Sequence, residues 1–126
     1  MTGLWYLACP YSHDDQAIMV QRFEQVNTFA ARLMRAGLHV FSPISHTHPI
    51  AQYGLPKGWD FWQEYDRCII EFCKGMIVCQ FDGWKESTGV AAEIGIAKEL
   101  GKNIYYVCPQ DEADSHNFLR MLESIW

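Results

Sequence analysis

Glu93 is a carboxylate in an unusual place. It lies in Ser87-Thr88-Gly89-Val90-Ala91-Ala92-Glu93-Ile94-Gly95-Ile96-Ala97, after an apolar run (residues 76–81) and the turn Asp82-Gly83-Trp84. That order reads as strand, loop and helix start, with Ser87 as the N-cap. On such a helix Gly89, Glu93, Ile96 and Leu100 share one stripe, and no cation stands three or four residues from Glu93. Helical side chains lean toward the N-terminus, so Glu93 leans over Gly89, whose missing side chain leaves a notch. A carboxylate set in an apolar stripe is costly without a partner, which points to a nucleophile or base beside an anion-binding helix end. Against this stands a Glu that reaches solvent past Gly89, or one satisfied by a strand tyrosine.

Three other groups carry possible chemistry. Tyr6, at the centre of the apolar run 4–9, offers a phenol that can orient a carboxylate, although strand tyrosines are usually core. Asp66, within Trp59-Asp60-Phe61-Trp62-Gln63-Glu64-Tyr65-Asp66-Arg67, is either a general acid or, as its charged neighbours favour, part of a solvated face. His46 and His48, with His13 in a neighbouring loop, lack a nearby carboxylate or cysteine, so loop polarity beside a ligand is preferred to a metal site. No cofactor or metal is expected. GxGxxG, Walker and GxSxG sequences are absent.

These groups must be held by a scaffold, and the periodicity supplies one. Residues 4–9 form a buried strand stopped by Pro10, and Asp14 and Asp15 open a helix. Met19, Phe23, Val26, Ala30 and Leu33 repeat at helical spacing, and Gly37 ends the helix. Residues 38–41 make a second strand, giving a right-handed βαβ unit. The pattern weakens over residues 44–58, read as an irregular segment. A helix follows over 59–74, then the strand 76–81, the Glu93 helix, a strand at 103–108 and a last amphipathic helix through Phe118, Leu119, Leu122 and Ile125. The alternation predicts a single domain over residues 1–126, a three-layer α/β sandwich with a small parallel sheet. Ligands of such sheets bind beyond the carboxyl ends of the strands, where loops 8–13, 42–48, 82–89 and 109–116 meet.

Bulk properties narrow the classes. A chain of 126 residues with net charge −5 and no basic cluster argues against a nucleic-acid polymer as partner, while a mononucleotide needs only a few donors. The five cysteines form no CxxC pair and suit free thiols in a reducing cytosol. With no signal peptide or membrane-length apolar run, the protein is expected to be cytoplasmic.

Tyr6-Leu7-Ala8-Cys9-Pro10-Tyr11, Phe41-Ser42-Pro43-Ile44 and above all Asp82-Gly83-Trp84-x-x-Ser87-x-Gly89-x-x-x-Glu93 together resemble the nucleoside 2-deoxyribosyltransferase-like superfamily. The match runs along nearly the whole chain and is nearest to its small bacterial and phage branch, related to the nucleoside monophosphate N-glycosidases. The resemblance implies a flavodoxin-like fold and cleavage of an N-glycosidic bond. It implies Glu93 as nucleophile, Tyr6 as its holder and Asp66 as the acid for the leaving base. Ala8, Pro10, Ser12, Ser87 and Gly89 are implied as substrate contacts, Ser87 and Ser12 toward phosphate. Ser115 (or Asn117) is implied as a residue lent by a second subunit, hence a homodimer. The rivals are a nucleotide-binding module without turnover, and a metal-dependent hydrolase using His13, His46 and His48.

Overall fold

A computed structural model describes residues 3–108. In order the elements are β1 (Trp5–Ala8), α1 (Gln16–Arg35), β2 (Val40–Phe41), α2 (Pro43–Ala51), α3 (Trp59–Phe72), β3 (Gly75–Cys79), α4 (Thr88–Glu99) and β4 (Asn103–Val107). The four strands form one parallel sheet in the order β2-β1-β3-β4. Chain order reverses between β1 and β3, which makes their carboxyl ends the topological switch point.

Alternation along the strands sorts the two faces. Trp5 and Leu7 of β1 and Ile77 and Cys79 of β3 pack with Val26, Phe29 and Leu33 of α1 and Ile44 of α2. Tyr6 and Ala8, with Met76 and Val78, turn the other way onto Ile70 of α3 and Val90 and Ala97 of α4. The molecule is thus a three-layer α/β sandwich, as the alternation predicts. Strand spacing is tight at Gly75, where a Cβ would lie 2.3 Å from the Trp5 ring and 2.7 Å from the Asn103 carbonyl oxygen.

Local chemistry explains the helix ends. Asp15 caps α1 by accepting from the Ala17 N–H at 2.9 Å, and Gly37 follows its C-cap with φ +98°. Ser87 caps α4 by accepting from Val90 N–H at 3.1 Å.

The segment 44–58 corrects the sequence reading. Instead of being irregular throughout, it is helical as far as Ala51, with Ser42 capping Ser45 N–H at 3.1 Å and Pro43 at the first position. Ile44 and His48 face inward at helical spacing, a stripe obscured because one of its members is polar. Asp66 is a second correction. It does not belong to a solvated face: with Ile70 it forms the buried side of α3, whereas Phe61 and Phe72 of the same helix are exposed. The expected C-terminal helix, Ser115 and Asn117 lie outside the described residues.

Candidate functional site

Tyr6 reaches the site because of its place on β1. Its neighbours Trp5 and Leu7 point into the α1 side, so Tyr6 emerges under α3 and α4, where it is fully buried. Its hydroxyl donates to Oε2 of Glu93. Glu93 is 6% exposed and Asp66 9%. The Asp66 carboxyl stands in hydrogen-bonding relation to both Glu93 and Tyr6. The phenol is therefore both core and site: its ring fills the layer while its oxygen meets two acids.

Burial governs how this cluster titrates. Desolvation, and next the Asp66 charge, hold Glu93 well above the usual carboxylate range, while the Tyr6 hydroxyl pulls the other way. Desolvation also lifts Asp66 from its ordinary 3.8 to about 6, against the hydrogen bonds from Glu93 and Tyr6. Burial and the nearby Glu93 push Tyr6 well up, so it stays a protonated donor. Two carboxyls this close cannot both ionise cheaply, so the pair keeps a proton to higher pH than an isolated carboxyl would.

The pair opens onto a cleft of about 140 Å³ that is partly open to solvent. Glu93 of α4, Asp66, Trp59 and Trp62 of α3, Tyr11, and Ile44 of α2 are among its lining residues. Ser12 also lines it. Ala8 and Pro10 are buried, and they, Ser87 and Gly89 are not among its lining residues. The Ser87 hydroxyl is occupied in capping α4. At Gly89 an added Cβ would meet only Ser87 Oγ, at 3.8 Å, so the notch read from the sequence is open.

The histidines are placed apart from this chemistry. His13 Nδ1 accepts from the Asp15 N–H at 2.9 Å. His46 packs near Phe41, and His48 is stacked on Phe23 and hydrogen-bonded to the Tyr11 hydroxyl. Among the described residues no group of three or more His, Cys, Asp or Glu is placed to hold a metal. No disulfide joins the cysteines among the described residues.

Sequence reasoning passed over Trp59, Trp62 and Lys57. A signal was present for the first two: residues 59, 62 and 66 are spaced i, i+3 and i+7, which puts both indoles and the acid on one stripe of α3. Lys57 is an exposed loop residue, and no period marks which loop residues border a cleft. Among the described residues, no helix is long and apolar enough to cross a membrane.

No curated protein matches the sequence. A family model described as "Domain of unknown function (DUF1937)" matches residues 3–108, which include every strand and helix above. The chain, with its Tyr6–Glu93–Asp66 cluster inside the matched span, belongs to that family.

Proposed function

We propose that the protein cleaves the N-glycosidic bond of a nucleoside or nucleoside 5′-monophosphate through Glu93. The observation that carries this reading is the Tyr6–Glu93–Asp66 cluster, two buried acids beside a buried phenol at the wall of a cleft. The likeness of the Ser87-x-Gly89-x-x-x-Glu93 segment to the nucleoside 2-deoxyribosyltransferase-like superfamily gives independent support.

In the reactive form the proton that burial favours on Glu93 has passed to Asp66, leaving Glu93 ionised and held by the Tyr6 O–H. The Glu93 carboxylate attacks C1′ and a C1′–O ester bond forms as the C1′–N bond breaks. The bonding pair leaves with the base, which takes the Asp66 proton. Water, deprotonated by the ionised Asp66, then attacks C1′ and releases Glu93; an acceptor base in place of water gives transfer instead. Ser12 at the cleft wall and the α4 N-terminus near Ser87 are the candidate phosphate contacts. A second copy lending Ser115 belongs to the same reading.

The test is a panel of nucleosides and nucleoside 5′-monophosphates, with and without an acceptor base, analysed by chromatography for free or exchanged base. The reading predicts free base from at least one member. A rise in melting temperature with no base released from any member would instead make the protein a nucleotide-binding module.

A further inference from the structure

Among the described residues lining the cleft there is one cation, Lys57, and it stands at the opposite end of the α3 wall from the acids. Along that wall the order is Lys57, just before the helix, then Trp59, Trp62 and Asp66, with Glu93 of α4 beside Asp66. Trp59 to Asp66 covers two helical turns, about 10 Å at 1.5 Å per residue. The α2–α3 connection is fixed in this position from both sides. Trp62 Nε1 donates to the Pro56 carbonyl at 2.8 Å, and Lys57 Nζ donates to Gln16 Oε1 of α1 at 3.2 Å. Gln16, itself in the cleft wall, has its acceptor oxygen engaged and so presents its amide N–H₂. That end of the cleft is consequently rich in donors.

We propose that Lys57, with Gln16, reads an acceptor on the far edge of the departing base, selecting two-ring bases that carry a carbonyl oxygen there. This rests on the reading of Glu93 and Asp66 given above. If the anomeric carbon is at Glu93 and the glycosidic nitrogen at Asp66, the base extends along the α3 stripe past Trp62 and Trp59. Its outer edge then points toward Lys57, and a two-ring base reaches farther along that stripe than a pyrimidine. An ammonium has three donors and no acceptor, so a carbonyl oxygen is satisfied there while an exocyclic amine leaves donors facing donors. The same ammonium stabilises negative charge that builds on the carbonyl oxygen as the C1′–N bond breaks, so Lys57 acts on kcat as well as KM.

The experiment compares kcat/KM for hypoxanthine- and adenine-bearing substrates, each as nucleoside and 5′-monophosphate, in the wild type, Lys57→Met and Lys57→Arg. The wild type is expected to favour the oxo base by at least tenfold. Lys57→Met should lower that ratio tenfold or more through kcat and KM together, and Lys57→Arg should restore most of it. Quenching of tryptophan fluorescence by free hypoxanthine and by unsubstituted purine, with Trp59→Phe and Trp62→Phe controls, gives a second readout that needs no turnover. There the wild type should bind hypoxanthine more tightly and Lys57→Met should not discriminate. An unchanged base ratio in Lys57→Met overturns the proposal. So does a loss confined to monophosphates and equal for both bases, which would make Lys57 a phosphate anchor. If no substrate releases base, glycosidic cleavage fails, and the quenching comparison decides Lys57 separately.

Discussion

The two faces of one sheet are built to different purposes, and β1 contributes to both. On the α1 side, Trp5 and Leu7 meet only packing partners such as Val26, Phe29 and Leu33. On the α3–α4 side, the residue between them, Tyr6, meets two carboxyls. Apolar burial on the first face stabilises the fold; acid burial on the second opposes it, because each charge loses its water. Buried acids with raised pKa values are candidates for a functional site, which is why the proposal starts from this face.

The largest expected effect separates the faces by activity. Glu93→Gln should lower base release by about 10⁴-fold or more, as loss of a nucleophile does, while circular dichroism and melting show an intact fold. Asp66→Asn should cost roughly 10²–10⁴-fold in rate, the usual share of a general acid. A loss of folding in either variant, with no stable protein to assay, would mean that the acids hold the second face together.

Asp66→Asn also sharpens the contrast through stability. Asp66 titrates at about 6 in the fold against an ordinary 3.8, so the folded state holds its proton over a pH range where the unfolded state has released it. Stability therefore falls as pH rises from about 4 through 6, by up to about 3 kcal/mol for this shift. Denaturant melts should show Asp66→Asn more stable than wild type at pH 8, with the gain vanishing near pH 4. On the other face, Leu33→Ala should cost about 2–5 kcal/mol, with no change in the shape of the pH–stability curve. Smallest of all, Ser87→Ala should cost about 1 kcal/mol for its cap, measured by urea melts.

Activity should follow the shared proton. Below about pH 6 both acids are protonated and the nucleophile is lost, so rate rises through that value; it falls again at higher pH when the pair gives up its second proton. A flat profile across this range would show that the pair does not titrate in the rate-limiting step.

The sequence made some of this site legible and concealed the rest for physical reasons. Glu93 stood out because a charge on an apolar stripe breaks a 3.6-residue period, and Ser87 because caps have a fixed offset from what they bond. The parallel sheet followed from strands separated by helices. Asp66 was obscured by Asp60, Glu64 and Arg67, which make the helix look solvated until packing decides which side turns in. The inward stripe of α2 was hidden by the buried His48. Lys57 carried no signal, since only the three-dimensional course of the α2–α3 connection brings it to the cleft.

The central claim is that Glu93 attacks C1′ directly, and its stereochemical consequence can be measured. Base release run in dilute methanol traps the sugar as a methyl glycoside whose configuration proton NMR reads at once. Two successive displacements at C1′ predict that a β-nucleoside or its monophosphate gives the methyl β-glycoside. The methyl α-glycoside as the first product would contradict the account, because it requires a single displacement by a solvent molecule and leaves Glu93 no covalent part.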